Sequence, residues 1–349
     1  MSNNPSPPID VNAIRREFPA LEHYTWFQNG GVSITPARIA EEHARLMREL
    51  LDRGPLHIIY PDEEYERRRT TMQSLAEFFA VDPNELALMR GVSEAYQTVL
   101  RGLDWQPGDE IIISQDEEAA LLLPALHLRD RYGVRVVKLP LFSATDQQLA
   151  ALQECLSVRT RLVALSHVTT DLGYRLPMHD ICRIANQQGA LTFVDVAHSA
   201  GLFELDLSGM GCDFAGILSY KWMYSPYASG LLYARQTSQQ LLAITYAGGR
   251  SEQSLDFEQD AYTLRETAER FQYGQTACSP VDPIQEFLHA LPAGLEGHDK
   301  LILQETRPAI YTIPVAKAIE GVEIRVVVHH RCLGSAQLPP VVETIAHSQ

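Results

Sequence analysis

The chain has 349 residues, 45% of them hydrophobic and 21% charged, and a formal net charge of −15 at neutral pH. This is enough apolar material for one large core and a smaller one, while the acidic balance argues against nucleic acid or an anionic membrane as partner, since both require a basic face. Five cysteines, Cys155, Cys182, Cys212, Cys278 and Cys332, are odd in number and share no paired spacing, which argues against a disulfide framework or a structural zinc knuckle and fits a reducing cytoplasm. The first dozen residues are polar and Pro-rich, and no stretch approaches the ~20 apolar residues of a membrane span, so neither secretion nor membrane insertion is expected.

In chain order, two helices are predicted first, from about Pro36 to Arg53 and from about Asp62 to Phe79. The run Glu63 to Arg69 mixes signs at helical spacing and reads as a solvated face with i,i+4 pairs. Strand-like apolar runs then alternate with amphipathic segments. Glu85–Arg90, Glu110–Ser114, Val134–Pro140, Arg161–Val168, Ala190–Val196 and Phe214–Ser219 read as strands buried on both faces. Between them SEAYQTVLRGL, LPALHLRDRYG, QQLAALQECL and MHDICRIANQQG read as helices, three of them stopping at or before a glycine. Strand followed by helix, repeated, predicts an α/β fold with a mainly parallel sheet between helices. After about Arg235 the pattern is irregular, and a smaller C-terminal α+β portion containing VEIRVVV closes the chain. The expected division is an N-terminal segment, residues 1–30, a large domain, 31–245, and a small domain, 246–349.

In open α/β sheets ligands bind beyond the carboxyl ends of the strands, so those ends give the candidates: Gly91-Val92-Ser93, Asp116-Glu117-Glu118, His167 to Thr170, Asp195 to His198 and Ser219-Tyr220-Lys221. A lysine at the end of a buried strand is costly unless paired or deprotonated, and a desolvated amine is a good nucleophile toward an aldehyde. A strand-end carboxylate such as Asp195 is suited to hold a pyridine nitrogen in its protonated, electron-withdrawing form. His198 lies three residues on and is placed to donate to a phenolate oxygen, and Gly91 to Ala95 is a glycine turn opening a helix, where free N–H groups favour a phosphate. Taken singly, Asp195 is an ordinary cap, His198 a satisfied polar group and Lys221 a snorkelling side chain. Together at one sheet edge they describe a pocket for pyridoxal 5′-phosphate (PLP). No strand is followed by G-x-G-x-x-G, which ranks a nicotinamide dehydrogenase low. His329, His330 and Cys332 do not suggest a metal site, because adjacent strand residues point to opposite faces.

These residues resemble those of class V aminotransferase-type, fold-type I PLP enzymes, a group that includes cysteine desulfurases, selenocysteine lyases, C–S lyases and isopenicillin N epimerase-like proteins. The similarity runs from Phe18 through Arg235 and returns at Glu269–Gln275. Its anchors are Asn29-Gly30-Gly31, Gly91 to Ala95, Ser166-His167-Val168 with Gly173 and Pro177, Asp195-Val196-Ala197-His198, and Ser219-Tyr220-Lys221-Trp222 followed by Pro226 and Gly230 to Tyr233. The resemblance implies Lys221 as the internal aldimine lysine, Asp195 as the partner of the pyridine nitrogen and His198 as the neighbour of the ring oxygen. It implies Val92, Ser93, Ser219, Thr170, Gln275 and Thr276 as cofactor contacts, Asn29 and Arg325 as substrate contacts, and a cytoplasmic homodimer acting on a small amino acid without a metal. C–S bond cleavage ranks first, with transamination or epimerisation as the alternative and a catalytically weak scaffold as a further one; a sulfur-acceptor protein is not specified.

The chain departs from that pattern at four places. Glu118 stands where the family places an aromatic or histidine against the PLP ring, the family's glycine-threonine element reads Gly274-Gln275 with Thr276 one place late, Tyr220 takes a position often held by histidine, and the C-terminal domain is short. Arg325 is the candidate for the substrate carboxylate; the competing alignment makes Cys332 a persulfide nucleophile.

Overall fold

The computed structural model describes residues 11–23, 25–54 and 62–274. Before the sheet come α1 (Val11–Arg16), α2 (Ala37–Arg53) and α3 (Asp62–Phe78); then follow β1 (Leu86–Met89), α4 (Val92–Gly102), β2 (Glu110–Ser114), α5 (Ala119–Tyr132), β3 (Arg135–Leu139), α6 (Thr145–Cys155), β4 (Thr160–Ser166), α7 (Met178–Gln187), β5 (Leu191–Asp195), β6 (Phe214–Leu218), β7 (Gly230–Ala234) and a hairpin of β8 (Glu252–Asp256) and β9 (Ala261–Leu264). The six strands and six helices predicted between Pro36 and Ser219 are present; the strand-like VEIRVVV, Val322 to Val328, lies outside the described residues.

The first seven strands form one sheet in the order β1-β7-β6-β5-β4-β2-β3. Strands β2 to β6 pair in parallel, and β7 runs antiparallel to both β1 and β6. The sheet is therefore mainly parallel, as expected, but β7 was not predicted as a strand. A return strand between two others needs no helical crossover, so the strand-then-helix alternation that revealed its neighbours passes over it. Strand β3 also differs from expectation: Arg135 and Lys138 are exposed, because β3 is an edge strand and only one flank is covered.

Alternation along each strand feeds two cores. On β2, Ile112 packs with Leu75 and Phe79 of the N-terminal helical region and Ile181 of α7, whereas Ile111 and Ile113 face Tyr96 and Val99 of α4 and Leu121 of α5. Phe193 and Val194 divide in the same way on β5. Each such fully buried side chain contributes on the order of 1.5–3 kcal/mol of transfer free energy, which fixes the register of the whole sheet rim.

The ends of β1, β2, β4, β5 and β6 meet on one rim, where the sequence reading placed the candidate residues. Gly91 has φ 141°, and a side-chain carbon there would lie 2.6 Å from Leu218 Cδ1. Gly230 packs just as closely: a Cβ would overlap the Ile217 carbonyl oxygen and lie 2.6 Å from Gly91 Cα. Both obstacles are backbone, so Gly230→Ala must displace β6 or the Gly91 turn, at an expected cost of about 3 kcal/mol or more. A thermal melt drop of several degrees checks this; an unaltered melting curve would mean that the rim lacks this backbone contact.

Candidate active site

The rim encloses a cavity of about 560 Å³, lined among others by Gly91, Ser93, Glu118, Asp195, Tyr220 and Lys221. Asp195 and Lys221 are only 5% and 8% exposed. Asp195 ends β5, where its Oδ1 accepts the Ala197 N–H at 2.8 Å. Burial raises its pKa to about 6, with the Ala197 hydrogen bond and the Lys221 charge pulling down and Glu118 pushing up. Burial lowers the Lys221 amine, and the Asp195 and Glu118 charges offset part of that. Lys221 Nζ lies 3.1 Å from His198 Nε2, and burial together with the Lys221 charge holds the imidazole down at about 4. Near neutral pH the ring is thus uncharged and shares one nitrogen with the lysine.

The turn carrying Lys221 is built from both sides. Below it, Ser219 Oγ donates to Ser229 O at 2.5 Å and also bonds Ser229 Oγ, while Ser225 Oγ is 3.0 Å from that same Ser229 Oγ. Ser225 N–H donates back to Ser219 O at 3.0 Å. Above it, Ser33 bonds the Tyr220 carbonyl through both its N–H, at 3.1 Å, and its hydroxyl, at 2.8 Å. Asn29 Nδ2 donates to Tyr224 Oη at 3.2 Å, and Gly30 abuts the His198 ring. These contacts fix a loop that carries two non-glycine residues, Tyr224 and Ala228, at positive φ.

Opposite, α4 opens at Gly91, and Val92 and Ser93 line the cavity. Glu94 receives the Arg90 N–H at 2.6 Å and the Tyr273 hydroxyl at 2.8 Å, so the start of α4 is tied to the segment after β9. Tyr273 stacks on Tyr246 at 4.9 Å, and both reach the cavity.

Lys221, Asp195, His198, Val92 and Ser93 are therefore brought together. Asn29 buttresses the lysine turn and keeps its Oδ1 buried without a partner; the Thr170 hydroxyl, beyond β4, is likewise buried and unpartnered. Ser219 sits behind the cavity wall, with its hydroxyl engaged by Ser229. Gln275, Thr276, Arg325 and Cys332 lie outside the described residues.

Glu117 received no role from sequence. Its carboxylate accepts the Ser166 N–H at 3.0 Å and the Ser166 hydroxyl at 2.6 Å, tying the end of β2 to the end of β4 beside Asp195. Burial raises it to about 7, against the lowering effect of those bonds. A strand-end run of three acidic residues signalled it, yet periodicity cannot say which of the three turns inward. His167 is buried behind the rim, with Nδ1 3.0 Å from Ser199 Oγ and its pKa lowered to about 4 by burial and then by Arg175.

A ligand is needed to make sense of this chemistry: a desolvated carboxylate raised in pKa, an amine lowered by burial, orphaned hydroxyl and amide oxygens, and a glycine cradle at a helix start. PLP fits that donor set, with Asp195 for its ring nitrogen, Lys221 for its aldehyde and the start of α4 for its phosphate.

A mainly parallel seven-stranded sheet between helices, with such a rim, is the architecture of the fold-type I PLP proteins. Within that class the chain belongs to the class-V aminotransferase family, whose model matches residues 25–322. A probable cysteine desulfurase of Methanothermobacter thermautotrophicus is 28% identical over 75% of this chain and 65% of its own length, so the match spans just under two thirds of that relative. The isopenicillin N epimerase of Streptomyces clavuligerus is 34% identical over 46% of this chain and 41% of its own. Among solved structures, the cystine C–S lyase C-DES in complex with cysteine persulfide, its reaction product, aligns with TM-score 0.72 and 28% identity over 81% of this chain and 74% of that one. A variant of C-DES with glycine covalently linked to the PLP cofactor aligns with TM-score 0.78 and 27% identity, covering 89% and 82%.

Proposed function

We propose that the protein is a PLP-dependent enzyme that cleaves a C–S bond of a small amino acid, in the manner of a cysteine desulfurase or C–S lyase. The observation that carries this reading is the convergence of the Lys221 amine, 3.1 Å from His198, with buried Asp195 in one rim cavity closed by the Gly91 turn. The names borne by the relatives and by C-DES support the sulfur chemistry.

In this reading Val92 and Ser93 offer backbone N–H groups to the phosphate, Thr170 offers its unpartnered hydroxyl, and Asp195 keeps the ring nitrogen protonated. The bound PLP supplies an electron sink for the pair left at the substrate Cα. Lys221 would hold the cofactor through its amine, and the same amine would be placed to take or return the substrate Cα proton. Its burial suits it to that base role, since desolvation favours the uncharged form. Neutral His198 keeps the amine oriented through the shared hydrogen bond. Arg325 is proposed for the substrate carboxylate, Gln275 and Thr276 for cofactor contacts from a second subunit, and a cytoplasmic homodimer for the working assembly. Among the described residues no helix is long and apolar enough to cross a membrane.

The test is to mix the purified protein with PLP, record the near-violet visible band that borohydride abolishes, and then assay cysteine, cystine and other amino acids for sulfide, pyruvate and keto acids together. Sulfur release from cysteine or cystine is expected. Absence of the band after PLP is added would favour a scaffold role, and slow transamination alone would remove the sulfur assignment.

A further inference from the structure

Glu117 has no task in the proposed mechanism, although its carboxylate bonds both the N–H and the hydroxyl of Ser166, at 3.0 and 2.6 Å. Ser166 ends β4 and is paired in register with Asp195, the last residue of β5. Registered residues of neighbouring parallel strands lie about 4.8 Å apart and point to the same face, here the face that also carries Ala164 and Phe193 toward α4. The Glu117 carboxyl group therefore stands one serine side chain away from Asp195. The groups that face Glu117 are few: Tyr96 from α4, Asp195 from β5, Lys138 from β3, and the hydroxyls of Ser114 and Ser166. Lys138 lies on the exposed edge strand, with its Nζ 3.3 Å from Ser114 O. The Tyr96 hydroxyl is buried without a hydrogen-bond partner among the described residues, its ring 4.8 Å from that of Phe193. Glu117 thus adjoins a second buried acid, and the hydrogen bonds it accepts come from neutral donors. Two carboxyl groups so placed titrate as a pair, one of them retaining a proton where an isolated acid would have lost it.

We propose that Glu117 is a positioning residue for Asp195: the two acids form one buried pair linked through Ser166, which holds a proton on Glu117 while the site is without its cofactor and gives it up when a pyridinium ring is set against Asp195. The proposal rests on the reading of Asp195 as the partner of the ring nitrogen. In the cofactor-free protein, burial first and the Asp195 charge after it favour the acid form of Glu117, raising it to about 7 against the pull of the serine hydrogen bonds. A cation at Asp195 cancels the second of these effects, and the two Ser166 donors then favour the carboxylate at which they point. The step is an ionisation: the O–H bond of the Glu117 carboxyl group breaks, its electron pair stays on the oxygen, and the proton passes to water. A proton lost on binding makes binding tighter as pH rises, up to the range in which Glu117 of the free protein is already ionised. Once charged, Glu117 adds its field to that of Asp195 and favours the protonated ring nitrogen.

Pyridoxine 5′-phosphate, which has the ring and phosphate of PLP but no aldehyde for Lys221, isolates this step. Calorimetric titration of the cofactor-free full-length protein at pH 7, in buffers of differing ionisation enthalpy, counts the protons exchanged on binding. The wild type is expected to release about half a proton more than Glu117→Gln, because about half of the Glu117 groups carry one at that pH; the ring's own protonation is common to both proteins and cancels. Glutamine keeps an oxygen for the Ser166 N–H and sets an amide beside its hydroxyl, so the tie between β2 and β4 is retained without a titrating group. Between pH 8 and pH 5 the wild-type affinity is expected to fall about tenfold further than that of the variant, whereas a purely structural loss would weaken the variant at every pH alike. Infrared difference spectra of the wild type give a second reading that needs no variant: the C=O band of a protonated carboxyl group is expected to disappear on binding. Equal proton counts in the two proteins overturn the proposal, as does a carboxyl band unchanged by binding, and both results leave the cofactor reading intact. Failure of the wild type to bind either pyridoxine 5′-phosphate or PLP overturns that reading, and this proposal with it.

Discussion

Lys221→Ala is expected to abolish borohydride-sensitive attachment of PLP and to reduce turnover by about 10³-fold or more, because both the anchoring amine and the base are lost together. The expected effect is large because among the described residues no other amine is equivalently placed: Lys138, the other lysine there, sits on edge strand β3 with its Nζ 3.3 Å from Ser114 O. Lys221→Arg supplies the control. It retains a cation at the site but offers a guanidinium that stays protonated at neutral pH and forms no Schiff base. Absorption spectra before and after borohydride, followed by intact-mass measurement, check the result: the wild type gains the mass of a reduced phosphopyridoxyl group and neither variant does. A variant that still gains that mass would put the anchoring amine elsewhere and end the proposed mechanism.

The parts of this site that were legible in the sequence are those whose burial conflicts with their chemistry. Asp195 terminates an apolar strand and Lys221 follows three residues after another, and a charged group at such a place has few structural uses, so the strand-end rule found both together with the Gly91 turn. The fold was legible for a related reason. Parallel strands buried on two faces leave uninterrupted apolar runs, and their crossovers leave amphipathic helices between them, as EIIIS before α5 illustrates. Strand β7 escaped because antiparallel return needs no crossover, and the β8–β9 hairpin escaped because its residues, such as Gln253 and Ser254, are polar and exposed and carry no apolar alternation. The orientation of side chains at the rim was equally hidden. The resemblance implied Ser219 as a cofactor contact but could not show that its hydroxyl bonds Ser229 ten residues away; the linear pattern also placed Glu117 in an undifferentiated acidic run, whereas the close approach of β2 and β4 turns that carboxylate inward onto Ser166. Both depend on distances between loops that the linear pattern does not encode.

Asp195→Asn is expected to move stability and cofactor affinity in opposite directions. The pKa of Asp195 is raised to about 6 from its ordinary 3.8, chiefly by burial. The folded chain without cofactor therefore binds a proton more readily than the unfolded chain does, and its stability declines as pH rises from about 4 to about 6, remaining lower above that. A shift of this size corresponds to roughly 3 kcal/mol at most at pH 8. Asparagine keeps an oxygen for the Ala197 N–H and carries no charge, so the cofactor-free variant is expected to melt several degrees above wild type at pH 8, with the gap closing toward pH 4. The Lys221 amine modifies this only in part: it loses the attraction that favoured its charged form, but burial already biases it toward the neutral amine. Affinity for PLP behaves in the reverse manner. A buried carboxylate against a pyridinium gains a charge-assisted hydrogen bond in a low-dielectric setting, and asparagine gives that up while leaving the ring nitrogen free to deprotonate. A loss of about 100-fold in PLP affinity is expected, together with a corresponding loss of electron withdrawal from the substrate Cα. Thermal melts with and without PLP at pH 8 and pH 4 separate the two effects, since the order of wild type and variant must reverse when PLP is added at pH 8. If Asp195→Asn lowered the melting temperature of the cofactor-free protein at pH 8, the carboxylate would be a structural group, and its place opposite Lys221 would carry no implication for the cofactor.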